Sequence, residues 1–135
     1  MTTKKEKKAA DFDFKSIKTF EEAAKKCGIN PDAMPDLNGI PEEFRKPMTA
    51  YYKLQIIYKA INNGWRPDWS NRNQYKYYLW FEVLSSGFGF SHSNYYYGST
   101  DTTVGSRLCT DTYEKALYIA EQFKAEYVDF LLYSE

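Results

Sequence analysis

Lys76-Tyr77-Tyr78-Leu79-Trp80-Phe81-Glu82-Val83-Leu84 is where the period of this sequence changes. Before it, apolar residues recur at helical spacing; within it they alternate. Tyr77, Leu79, Phe81 and Val83 would share one face of a strand, and Tyr78, Trp80, Glu82 and Leu84 the other. Glu82 marks the second face as the wetter one. Ser85-Ser86-Gly87 then reads as a hairpin turn, and Phe88 to Tyr97 as a second strand with Phe88 and Phe90 on one face. Gly98 to Thr103 supplies a second turn. A third strand over about 104–109 would place Val104, Ser106 and Leu108 on one side and Arg107 and Cys109 on the other. Three short strands joined by tight turns predict an antiparallel meander.

Upstream of that stretch, Thr19-Phe20-Glu21-Glu22 has the form of a capping box, and Gly28 provides a left-handed stop. A short helix over about 20–27 follows from them. Residues 29–40 hold Pro31, Pro35, Asn38 and Gly39 and read as a loop. Pro41-Glu42-Glu43 resembles a helix start, which Pro47 would interrupt or restart. Beyond Pro47, Ala50, Leu54, Ile57, Tyr58 and Ile61 predict a long helix over about 48–62, ended by Asn62-Asn63-Gly64. Downstream, Asp111-Thr112-Tyr113-Glu114 repeats the capping pattern. Tyr113, Ala116, Leu117, Ala120, Phe123, Tyr127, Phe130 and Leu131 then form a broad apolar stripe on a final helix. The expected fold class is therefore α+β: two N-terminal helices, a three-stranded antiparallel β-meander and a C-terminal amphipathic helix packed on the sheet.

The chain has 135 residues, 43% of them hydrophobic, which is enough for one core that buries about two thirds of the unfolded surface. Residues 1–11 lack apolar periodicity and are expected to form a disordered basic arm, leaving 12–135 as a single domain. No apolar run approaches the roughly 20 residues that span a bilayer, and no apolar core follows the lysine-rich start. A cytoplasmic, non-secreted protein without a membrane partner is the expectation. Cys27 and Cys109 show no CxxC or Cys/His spacing and read as two free, reduced thiols.

Little in the sequence points to catalysis. His92 is the single histidine, which removes His clusters and the HExxH spacing, and its Phe90-Ser91-His92-Ser93 context is no nucleophile elbow. Gly87-Phe88-Gly89 lacks a third glycine and a following helix, so it forms no pyrophosphate site. The acid pairs Glu21-Glu22 and Glu42-Glu43 stand at helix starts, where the dipole accounts for them. The expectation is a non-enzymatic protein with no cofactor and no metal.

Charge, by contrast, is sorted along the chain. Between Phe44 and Phe81 seven basic residues face only Asp68, a formal balance of +6, while the whole chain is neutral. Rings interleave with these cations, above all in Gly64-Trp65-Arg66-Pro67-Asp68-Trp69-Ser70-Asn71-Arg72. Trp and Arg dominate binding hot spots, and cations with ring faces suit phosphates and bases. The candidate partner-binding residues are Trp65, Arg66, Trp69, Arg72, Lys76, Tyr78, Trp80 and Arg107. An alternative for the connector is that its tryptophans fold back over the core while Asp68 pairs with a neighbouring arginine.

The run from Trp65 to Phe81, with Val104-Gly105-Ser106-Arg107-Leu108-Cys109, resembles a family of small uncharacterised proteins of phages and prophages of gut anaerobic bacteria. The similarity extends from about Phe14 onward. The family has a proline at the position of Leu79 and an aromatic residue at that of Thr110. The resemblance implies a phage or mobile-element context in a bacterial host cell, and no activity, cofactor or catalytic residue.

Two functions suit these features. One is a protein-interaction module, a self-associating structural component or a binder of a host factor, in which a basic and an acidic helix meet across an interface. The other is an accessory protein for single-stranded nucleic acid, with Lys53, Lys59, Arg66, Arg72 and Lys76 on phosphates and Trp65, Trp69, Tyr78 and Trp80 stacked on bases.

Overall fold

The computed structural model describes residues 12–84, 87–96 and 104–133, with side chains over 12–82 and 104–133. The expected N-terminal arm and the turn at 98–103 lie outside these residues, as does the side chain of His92. Within them the protein is mainly helical: α1 (Phe20–Lys26), α2 (Glu42–Asn62), α3 (Tyr113–Gln122) and α4 (Lys124–Leu131), with one antiparallel hairpin of β1 (Lys76–Leu84) and β2 (Gly87–Tyr96). This corrects the α+β meander. The expected third strand is absent among the described residues, because Gly105 at φ +80° breaks the extended chain and Ser106–Leu108 close into a 3-10 turn. Thr110 instead meets the hairpin through an isolated bridge to Tyr77, in which each backbone N–H donates to the other's carbonyl at 2.9 Å. The β1–β2 register shifts between Trp80 and Phe81, passing over Ser91.

Local chemistry explains the helix ends. Thr19 Oγ1 accepts from Glu22 N–H at 3.2 Å, and Glu22 Oε2 accepts from Lys18 N–H at 3.1 Å, a reciprocal cap set one residue early. At the other end of α1, Ile29 N–H donates to Ala24 C=O and Gly28 N–H to Lys25 C=O, with Gly28 at φ +71°, a Schellman stop. Helix α2 starts at Glu42 instead of restarting after Pro47. Pro47 deprives the Glu43 carbonyl of a donor, but residues 42–46 are exposed, so water can replace the lost bond. Before α3 the cap is Thr112, which accepts from Lys115 N–H at 3.2 Å; Asp111 instead pairs with Lys115 Nζ at 2.9 Å.

The expected single C-terminal helix is broken at Phe123 (φ −115°, ψ 32°), which is buried in the core. No proline or glycine marks the break. The change of direction leaves α3 against the hairpin and turns α4 onto α2. There the hydroxyls of Tyr58 and Tyr127, both buried, hydrogen-bond to each other. Burial pushes both phenols above their ordinary range. Leu54, Ile57 and Ile61 of α2 are fully enclosed with Phe20, Ala24, Ile119 and Phe123, each large side chain contributing about 1.5–3 kcal/mol by leaving water. Phe81 of β1 meets Tyr127 with ring centroids 4.6 Å apart, tying hairpin to helices.

Candidate functional site

Helix α2 ends in a tight reversal. Asn63 (φ +48°) and Gly64 (φ +94°) are both left-handed, and Trp65 N–H donates to Asn62 C=O at 3.0 Å. Positive φ at two successive positions is what Asn and Gly tolerate, and it throws the following residues sideways from the helix axis. Trp65, Arg66 and Pro67 thereby become one wall of a groove of about 970 Å³. Lys26 and Cys27 at the end of α1, together with Ser106 and Arg107 of the 3-10 turn, line it as well. Gln55, Ile56, Lys59 and Ala60 on one side of α2 contribute to the lining too, as do Asn62 to Gly64 at its end.

Four cations, Lys26, Lys59, Arg66 and Arg107, line this groove, and among the described residues no carboxylate does. They are not equivalent. Lys26 Nζ donates to Asn63 Oδ1 at 2.8 Å and lies 3.9 Å from the centroid of the Phe12 ring, so it works as a strut between the two helix ends. Lys59 stands in the last turn of α2, where a cation complements the helix dipole. Arg66 and Arg107 are exposed and belong to no α-helix end. Among the described residues, none of Lys59, Arg66 and Arg107 forms a salt bridge. Cation density without counter-charge favours an anion in the groove.

Beneath the cations lies Asn62, buried at 7% exposure. Its Nδ2 donates to Cys109 C=O at 2.8 Å, while its Oδ1 has no hydrogen-bond partner among the described residues. Such an acceptor costs about 1–3 kcal/mol when left empty. Cys27 is half-buried on the groove, and burial raises its thiol above the ordinary range despite opposing pulls from Lys59 and Lys26.

Of the eight residues the sequence singles out, the groove unites Trp65, Arg66 and Arg107. Trp69, Lys76 and Tyr78 go inward. Tyr78 is buried with Cys109, and Trp65 and Trp69 pack over them; Trp69 Nε1 donates to Ser106 Oγ at 2.8 Å. Lys76 is 1% exposed, its Nζ donating to the carbonyls of Asn71 (3.2 Å) and Gln74 (3.1 Å) and lying 5.1 Å from the Trp69 ring centroid. It holds the connector and offers nothing to phosphate. Arg72 is exposed but lies off the groove, and Trp80 is half exposed on the hairpin. Among the described residues Asp68 forms no salt bridge with an arginine: its Oδ1 accepts from Ser70 N–H (3.0 Å) and Oγ (2.6 Å), and these bonds lower its pKa. The connector covers Tyr78, so the wetter face of β1 is not an open stacking platform there. Sequence reasoning missed Lys26 and Asn62. The first carries the ordinary signal of a helix-end lysine and the second that of a helix stop.

Among the described residues no group of three His, Cys, Asp or Glu side chains could hold a metal ion, and no helix is long and apolar enough to cross a membrane. No protein-family model matches the chain, and no curated protein or solved structure is similar to it; nothing in these comparisons bears on a phage or prophage origin.

Proposed function

We propose that this protein is a non-enzymatic binding protein whose groove takes the backbone of a single-stranded nucleic acid. The observation that carries this reading is the convergence of Arg66, Arg107 and Lys59 on one groove with no carboxylate among its lining residues. Guanidinium groups match phosphate oxygens in bidentate fashion, and Trp65 on the same wall supplies a ring for an unstacked base. Cys27 and Cys109 as free thiols support action in a reducing cell interior.

Anisotropy of a labelled single-stranded oligonucleotide tests it. Binding in the micromolar range at low salt is expected. Three phosphate contacts give a slope of roughly −2 in the logarithm of the association constant against that of salt. No binding at tens of micromolar protein at low salt removes the reading, and equal competition by polyglutamate moves the groove to an acidic protein partner.

A second reading, the protein-interaction module, has its own observation. Phe44 and Met48 stand one turn apart on α2 at 48% and 46% exposure, and Leu131 at the end of α4 and Tyr133 just beyond it are exposed. Large apolar side chains in water favour a protein contact. Light scattering across a salt series tests self-association, and a monomer at every salt concentration confines that surface to a different partner.

A further inference from the structure

We infer that a strand held by the groove is also gripped outside it, by Lys4, Lys5, Lys7 and Lys8 on the phosphates that flank the groove; this rests on the single-strand reading above. What places these lysines is the residue that follows them. The Phe12 ring packs against the core, and its centroid lies 3.9 Å from Nζ of Lys26, a lysine on the groove wall. The next turn fixes that position. Asp13 Oδ1 accepts from Lys15 N–H at 3.0 Å, the Asp13 carbonyl accepts from Ser16 Oγ at 2.6 Å, and the Phe14 ring meets Tyr118 edge-on with centroids 5.6 Å apart. The described chain therefore begins at the rim of the groove.

Covalent geometry then limits how far away the lysines can be. A polypeptide spans at most about 3.6 Å per residue, so the Cα of Lys8 lies within about 14 Å of that of Phe12, and the Cα of Lys4 within about 29 Å. Whatever path residues 1–11 take, four ammonium groups stay near the cations of the groove. The balance of that segment is positive, since four lysines against Glu6 and Asp11 give 4 − 2 = +2. The groove wall carries no carboxylate among the described residues to compete for them, whereas a phosphate chain that overruns the groove brings counter-charge to both. Lysine suits this task, because a point charge on a long stem needs no fixed geometry to meet a phosphate. Arg66 and Arg107 set where the strand lies, and the four lysines add affinity without reading sequence.

The test measures the salt dependence of binding for strands of about five and about fifteen nucleotides, on the wild type and on a variant carrying Lys4→Gln, Lys5→Gln, Lys7→Gln and Lys8→Gln. Each phosphate contact contributes about 0.7 to the slope, so three groove contacts give roughly −2 and four more bring the long strand to roughly −5. The variant should return the long strand to roughly −2, bind it about tenfold more weakly or worse at low salt, and leave the slope of the short strand unmoved. Equal slopes for wild type and variant on the long strand overturn the inference and confine binding to the groove. An equal drop in slope on both strands overturns it as well, and moves the lysines inside the groove. A second measurement needs no variant: acetylation of the wild-type protein, read by mass spectrometry. The long strand should shield Lys4, Lys5, Lys7 and Lys8 and the short strand should not. Lysines that react equally with and without the long strand overturn the assignment. Failure of either strand to bind at low salt removes the single-strand reading and this inference together.

Discussion

Trp65 with Arg66 on the connector, and Trp69 of the connector with Lys76 at the start of β1, are two tryptophan–cation pairs, one exposed and one enclosed. Arg66 is exposed on a groove lined by no carboxylate among the described residues, with Trp65 beside it partly buried. Lys76 is enclosed, saturated by two backbone carbonyls and covered by Trp69. Composition does not separate the pairs. What separates them is the source of each cation's partners: the inner one finds oxygen atoms in the loop beside it, and the outer one forms no salt bridge among the described residues and faces solvent.

The largest effect should come from breaking the inner pair. Lys76→Met keeps most of the unbranched stem but leaves the Asn71 and Gln74 carbonyls without their donor, which should lower stability by about 2–3 kcal/mol. Thermal unfolding reads this, and an unchanged or higher midpoint would mean that the cation is not what holds the loop. Next comes the outer pair. Arg66→Gln combined with Arg107→Gln should weaken oligonucleotide binding about tenfold, or about 1.4 kcal/mol, with the melting midpoint unmoved. A stability loss without a binding loss would reverse the two assignments. The smallest effect concerns the thiols on the two sides. Burial pushes Cys109 up to about 12 and raises Cys27 too, so alkylation of the native protein should be slow at both and quicken as pH rises through 9. Cys27 should still react first, and a bound strand should protect it alone. Equal protection of both thiols would mean that the strand tightens the whole fold and does not occupy the groove.

Much of the helical part was legible because it is written in neighbouring residues. Thr19 as a cap, Gly28 as a stop and the Leu54, Ile57, Ile61 stripe depend on spacing alone. The third strand was misread because the alternation in Val104 to Cys109 is short, and the left-handed backbone at Gly105 outweighs it. The break at Phe123 has no local sign; it follows from burying that ring while bringing Tyr127 to Tyr58, an arrangement set by distant partners. For the site, Trp65, Arg66 and Arg107 could be nominated from residue type. Lys26 and Asn62 could not, since an unfilled acceptor and a shared groove exist only after α1, α2 and the 3-10 turn have met. Lys76 and Tyr78 were misjudged for the same reason, as enclosure by a loop is decided by where that loop lands.

Tyr118 and Gln122 of α3 reach back more than a hundred positions along the chain. The Tyr118 hydroxyl donates to the carbonyls of Ile17 (2.6 Å) and Lys15 (3.1 Å), and Gln122 Nε2 donates to that of Lys18 (2.9 Å). Residues 15–18 therefore gain these three hydrogen bonds only once residues near 118–122 have been synthesised, whereas their packing against α2 needs no residue beyond 62. A nascent polypeptide emerging from the ribosome lacks these three bonds until then, since contacts so distant in sequence cannot form early. Protease sensitivity of chains arrested before and after residue 122 would reveal that delay as a late, abrupt gain of resistance near Lys15 and Lys18.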